Sequence, residues 1–328
     1  MDANSKINGG SILQTWILSD PTYSYTIDLA EKTNADWVSL APLITIKEAL
    51  SEGRPYYDFG VIDEVYKMKV IIPRISKSGL SNIMLKPLTS FGVVGAVNDS
   101  FFWGDFFVNT EAEWLGIEKA YEELIYEFAR LSEEFPEVKL LSIGNELKEF
   151  SQRRPQFFQA LIVKIRTDFP NLKLTYSANW DEYQSVSFWE NLDYIGVNTY
   201  FPLVNKETPS VDEIKKALVP IKNNLNALSC RYQKKILFTE YGYRSIDNTA
   251  WKAWLLEGIS NSNYNFEAQN NAYTAFYDTL WDENWTAGGF FWEWKILESG
   301  QDINNPNENG WYVNDKPVEE IIRDRYSD

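Results

Sequence analysis

The chain has no histidine among its 328 residues, one cysteine and three methionines. Without imidazole, acid/base chemistry falls to carboxylates, and the commonest transition-metal ligand is missing. No dense run of aspartates takes its place, so neither a metal nor a cofactor is expected. The single thiol, Cys230, excludes an intramolecular disulfide. No apolar stretch reaches the roughly 18 residues of a membrane-spanning helix, and the polar start Met1-Asp-Ala-Asn-Ser-Lys carries no hydrophobic signal region. Basic residues are scarce: 31 Lys and Arg stand against 47 Asp and Glu, a net charge of −16. Such a surface repels nucleic-acid phosphates and anionic lipids, so neither is an expected partner, whereas a neutral polymer is compatible with it.

Apolar residues make up 44% of the chain and charged residues 24%, a composition suited to one large ordered domain over residues 1–328. Eight short apolar runs read as strands: Ser11–Leu18, Asp36–Leu43, Asn82–Leu88, Lys139–Asn145, Lys173–Ala178, Leu192–Asn198, Lys235–Thr239 and Gly288–Trp294. They are continuous rather than alternating, as in parallel strands covered on both faces. Helical spacing separates them. Ala120, Leu124, Phe128 and Leu131 mark a helix over Glu118–Phe135. Pro155 opens another, to Phe169. Ser210 to Glu213 form a capping-box pattern ahead of Leu228, and Phe266–Trp281 repeats Ala272, Phe276 and Leu280. Eight strands alternating with helices over this length predict an α/β fold, the (β/α)8 TIM barrel. The rival, an open doubly wound sheet, usually carries a Gly-rich turn after its first strand. Here Asn8-Gly9-Gly10 precedes that strand, so no dinucleotide site is expected.

Two glutamates occupy matching places. Glu146 ends the run beginning at Lys139, and Glu240 ends the run beginning at Lys235. These are strands four and seven, across the mouth of a barrel whose C-terminal rim carries active sites. A pair of carboxyl groups facing over one cleft is what glycoside hydrolysis requires: one protonates the leaving oxygen, the other attacks the anomeric carbon or activates water. A lone strand-end Glu is more often a salt-bridged loop residue, but two on these strands weigh against that. Glu149 and Glu293 are rivals; Glu293 lies out of phase with Trp292 and Trp294, so one of the two sets faces away from the cleft. Asn145, just before Glu146, could bond a sugar 2-hydroxyl or simply end the strand in a turn. Aromatics reach 16%, with 13 tryptophans. Most are expected in the core; those beside strand ends could be stacking platforms for sugar rings.

The ordered set of stretches Ile83-Met-Leu-Lys-Pro87, Phe102-Trp-Gly-Asp105, Leu141-Ser-Ile-Gly-Asn-Glu-Leu147, Leu174 to Asn179, Phe188 to Gly196, Thr199-Tyr-Phe-Pro-Leu203, Thr239-Glu-Tyr-Gly-Tyr-Arg-Ser245 and Gly289-Phe-Phe-Trp-Glu-Trp294 resembles the β-mannanases of glycoside hydrolase family 113. That resemblance implies a retaining glycosidase of the large (β/α)8 clan, with Glu146 as acid/base and Glu240 as nucleophile. It implies that Asn145 holds the 2-hydroxyl, that Tyr200 bonds the nucleophile, and that Trp292 or Trp294 floors the subsite of cleavage. Trp16, Lys86, Trp103, Asn179 and Tyr243 would contact neighbouring sugars. Many family members carry Thr where this chain has Asn145. Lys86 has a plainer reading as a salt-bridge partner, and Arg244 as a support for Glu240 or a loop cap. The expected substrate is β-mannan or manno-oligosaccharide, cut by a monomer, endo or, if the loops Thr89–Asn109 or Asn205–Val211 block the cleft, exo. An exo-β-mannosidase, a β-glucanase or xylanase, and a non-catalytic sugar-binding barrel are the alternatives. A polymeric substrate favours a secreted or cell-surface address.

Overall fold

The computed structural model describes residues 6–45, 47–51, 54–90, 104, 108–254, 264–298 and 310–327, with backbone only at 47–51 and 54–57. Eight parallel strands close into a barrel: β1 (Ile7–Ile12), β2 (Trp37–Leu40), β3 (Asn82–Leu85), β4 (Val138–Asn145), β5 (Lys173–Ala178), β6 (Ile195–Asn198), β7 (Ile236–Tyr241) and β8 (Thr286–Phe291). Each pairs with its neighbours in chain order, and β8 closes on β1 through Ile7 opposite Gly288. This is the (β/α)8 barrel expected from the alternation of runs.

The first strand begins earlier than the apolar run suggests. Ser11–Leu18 is not a strand throughout: the chain leaves the barrel after Ile12 and turns helical over Thr15–Ser19. The pairing residues include Gly9 and Gly10, whose polarity hid the strand. Both are needed, since a Cβ at Gly9 would come within 2.3 Å of the Phe290 ring and one at Gly10 within 2.6 Å of Phe291. The eighth strand likewise runs Thr286–Phe291, so Trp292 to Trp294 belong to the loop beyond it.

Helices flank the sheet. Glu111–Glu134 begins a turn and more before the predicted Glu118, because a capping box of Thr110 and Glu113 starts it. Pro155–Asp168 opens on its proline, and Val211–Tyr232 follows the Ser210–Glu213 box. Phe266–Phe276 runs on into a π turn ending at Trp281. Among the longer helices, Val61–Lys77, which contains Pro73, and Val318–Ser327 had no sequence expectation. The last one ties the chain end to its beginning, since Tyr326 OH donates to Gly9 O at 2.8 Å.

Packing divides into two layers. The larger core lies between sheet and helices. A smaller one plugs the lower barrel with Ile7, Trp37, Met84, Leu140, Leu237, Ala287 and Phe290. Above this plug the interior becomes polar: Ser142 Oγ lies 2.8 Å from Ser177 Oγ, and Thr239 Oγ1 donates to Asn198 Oδ1 at 2.8 Å. The apolar plug seals one end, leaving hydrogen-bonding groups only toward the C-terminal mouth. Among the described residues no helix is long and apolar enough to cross a membrane.

Candidate active site

Local irregularity in two strands aims the carboxylates. Against β5, Thr175 pairs with Ser142 but Ser177 pairs with Asn145, so β4 holds one extra residue just before Glu146. Against β6, Val197 pairs with Phe238 but Asn198 with Glu240, so β7 holds one extra residue at Thr239–Glu240. The extra residues turn Glu240, out of phase with inward Leu237 and Thr239, and Asn145, out of phase with inward Leu140 and Ser142, toward the mouth. Glu146 itself adopts a left-handed backbone, φ 54°, while its N–H donates to Ser177 O at 2.8 Å.

The two buried carboxylates have different partners. Glu240 Oε1 receives the Lys86 ammonium, and its Oε2 accepts from Tyr200 OH at 2.7 Å. Lys86 is fully buried and its Nζ sits 4.9 Å over the Trp292 ring. Desolvation lowers the Lys86 pKa, and the Glu240 charge opposes that shift. Among the described residues the side-chain donor to Glu146 is a neutral one, Asn198 Nδ2 at 2.9 Å, which also reaches Asn145 Oδ1 at 3.1 Å. Burial, and then the charge of Glu240, hold the Glu146 carboxyl well above the usual carboxylate range. Burial and the bond to Glu240 likewise raise Tyr200, so it stays a donor.

Two more acids surround this pair. Glu293 is buried in the loop after β8, and its pKa is pushed up to about 8 by desolvation first and by Glu240 second. Among the described residues its Oε2 finds no hydrogen-bond partner. Glu182 lies behind Glu146, pushed up to about 7 by burial, although Ser151, Tyr176 and the Asn179 N–H all donate to it. Glu149 is outside the site: it lies on the short helix Lys148–Arg153, 3.9 Å from Arg153.

The other sequence candidates scatter. Lys86 is bound to Glu240 rather than free to meet a distant sugar. Trp294 is fully buried, with its backbone N–H donating to Ser11 O at 2.8 Å, so half-buried Trp292 is the strand-eight ring beside the carboxylates. Tyr243 is buried against Tyr273 with ring centroids 5.6 Å apart. Asn179 starts the turn that carries Glu182, its Oδ1 accepting from Trp180 N at 2.8 Å. Trp16 is 53% exposed on the helix after β1. Among the described residues Arg244 meets neither Glu240 nor another acid; it stacks at 5.2 Å over Trp311, and its Nε and Nη1 find no partner there. Trp103 lies outside the described residues, as does most of Thr89–Asn109.

Four residues near the mouth escaped the sequence reading. Asn198 ends β6 as Asn145 ends β4, and that parallel was the available signal. Glu182 gave none. Trp180 and Trp254 stack at 5.1 Å and 26° beside Phe201. Trp180 could have been found from its place just beyond β5; Trp254 lies too far along the loop after β7.

A parallel barrel with paired, differently partnered carboxylates at its C-terminal mouth is the architecture of a glycoside hydrolase. The sequence profile of Glycoside Hydrolase Family 113 matches residues 16–316, and the chain belongs to that family. Among solved structures it is similar to a GH113 beta-1,4-mannanase at TM-score 0.72 and 18% identity, over 98% of this chain and 99% of the other. It is also similar to the GH113 beta-mannanase AaManA from Alicyclobacillus acidocaldarius, in complex with ManMIm, at TM-score 0.70 and 18% identity, over 99% and 98% of the two chains. A Faecalibacterium prausnitzii beta-glucuronidase shares the fold more distantly, at TM-score 0.58 and 16% identity, over 92% of this chain and 44% of that one. No curated protein matches the sequence.

Proposed function

We propose that the chain is a retaining, endo-acting β-1,4-mannanase that cleaves mannan or glucomannan by double displacement. The observation that carries the reading is the contrast between the two carboxylates. Glu240 is clamped by an ammonium and a phenol, both donating to it, which suits a nucleophile. Glu146 is buried with a neutral amide and a raised pKa, which suits a proton donor. In the first step Glu146 gives its proton to the glycosidic oxygen while Glu240 attacks the anomeric carbon. The ester that forms removes the negative charge of Glu240. One of the causes raising Glu146 then disappears, its pKa falls, and it can take a proton from the water that releases the sugar.

Asn145 spends its carbonyl on Asn198, which leaves its NH2 to meet the 2-hydroxyl. Trp292, beside Lys86, is the ring placed to floor the sugar. The mannanase activity named for the similar structures supports mannan over other backbones.

The test is the product profile on mannohexaose, run beside cellohexaose and xylohexaose with Glu240→Ala as control. A spread of short manno-oligosaccharides, absent in the variant, is expected. Mannose released singly would replace endo by exo action, preferential cleavage of either other hexaose would replace mannan, and no cleavage of any would sink the enzyme reading.

A further inference from the structure

The left-handed backbone of Glu146 has to be held by its neighbours, because a residue with a side chain is strained there. The holding contacts come from β5. Ser177 O accepts the Glu146 N–H at 2.8 Å, and Tyr176 OH accepts the next N–H, that of Leu147, at 2.9 Å. Tyr176 can serve as acceptor only if its own proton points elsewhere. That proton goes to Glu182 Oε1 at 2.6 Å. Glu182 is itself fixed, taking Ser151 Oγ at 2.5 Å on the same oxygen and the Asn179 N–H at 3.1 Å on the other. The body of Tyr176 has no room to shift. Its ring lies against Gly144, where a Cβ would come within 2.7 Å of it, and it packs edge-on against Phe158 and Phe188. Glu182 and Tyr176 are fully buried behind the cleft, away from any position a sugar could reach.

We infer that Glu182 is a positioning residue for Glu146, acting through the hydroxyl of Tyr176 to lock the turn that aims the acid/base carboxyl. The inference rests on the assignment of Glu146 as acid/base. The chain of bonds runs from Glu182 to Tyr176 to the Leu147 N–H, and breaking either link frees the turn without touching a group that meets substrate.

The experiment compares kcat/KM for two substrates in Glu146→Gln, Tyr176→Phe, Glu182→Leu and Glu182→Gln. Mannohexaose has a poor leaving group and needs the proton. 2,4-Dinitrophenyl β-mannoside has a leaving group that departs without one, and kcat/KM reports its first step. Tyr176→Phe and Glu182→Leu are expected to lose about tenfold or more on mannohexaose and no more than about twofold on the aryl mannoside. Glu182→Gln keeps an oxygen for the Tyr176 proton but turns an NH2 toward the Asn179 N–H, and is expected to lose less than Glu182→Leu on mannohexaose. A purely structural role would lower both substrates together, and that result, or no loss at all, would overturn the inference. Glu146→Gln separates the two levels. If it fails to discriminate between leaving groups, the acid/base assignment falls and the inference with it. If it discriminates while Tyr176→Phe and Glu182→Leu do not, the inference alone falls.

Discussion

Glu146 and Glu240 look across one cleft from strands three places apart, each just past or within a one-residue bulge, and there their likeness ends. Glu240 sits in extended backbone and meets charged and phenolic donors from just past β3 and from the loop after β6. Glu146 sits in a left-handed turn, meets one amide from β6, and is backed by a second buried acid, Glu182. The same side chain is thus given two characters by what faces it. Glu240 is held by two donors, whereas burial beside acidic groups favours the proton on Glu146.

Replacing each acid by alanine is the sharpest way to break that comparison. On 2,4-dinitrophenyl β-mannoside, Glu240→Ala should lose at least ~10⁴-fold in kcat/KM, because the nucleophile is needed whatever the leaving group. Glu146→Ala should lose no more than about tenfold there and ~10²–10⁴-fold on mannohexaose. Equal losses for both variants on the aryl mannoside would mean that the roles are wrongly divided. Lys86→Met comes next. It removes the ammonium but keeps the length of the side chain, and kcat should fall about a hundredfold with KM little changed. A change confined to KM would return Lys86 to sugar binding.

How much of this could be read in the sequence follows from how local each signal is. Pro155, the Ser210–Glu213 box and the Ala120–Leu131 stripe act within a few residues of themselves, and the helices they announce are there. Glu146 and Glu240 stood out because parallel strands put their last residues at one rim. The bulges that aim them did not, since an extra residue shows only against a partner strand. Lys86 meets an acid 154 positions away, and Asn198 bonds residues 52 and 53 positions back. No spacing rule carries such pairs. The first strand was misplaced for the opposite reason: Gly9 and Gly10 look like a turn, yet they are glycine because two phenylalanine rings occupy the space.

Smaller effects sharpen the contrast. Asn198→Ala removes the Asn198 amide bond to Glu146 and the bond to Asn145. That bond favours the charged form of Glu146, so its loss should raise the pKa further and move the alkaline limb of the kcat/KM profile to higher pH. Activity should fall about tenfold. An alkaline limb moving to lower pH would contradict the assigned direction.

Glu293 supplies the mildest test, read in stability. Its folded pKa of about 8 lies above the ordinary glutamate value of 4.5, so between those values the folded chain holds more protons than the unfolded one. Stability from this group is therefore fully present below the unfolded pKa and drains as pH rises, at up to roughly 1 kcal/mol per pH unit. Glu293→Gln keeps the shape and removes the titration. Thermal unfolding of parent and variant at pH 5, 6, 7 and 8 should show the parent's Tm falling relative to the variant's across that range. The effect should flatten above pH 8, where the folded group is ionised as well. Parallel curves would mean that Glu293 is ionised in the folded protein at neutral pH, and that its carboxylate is one more negative charge facing Glu240 and Lys86 rather than a buried acid beside them.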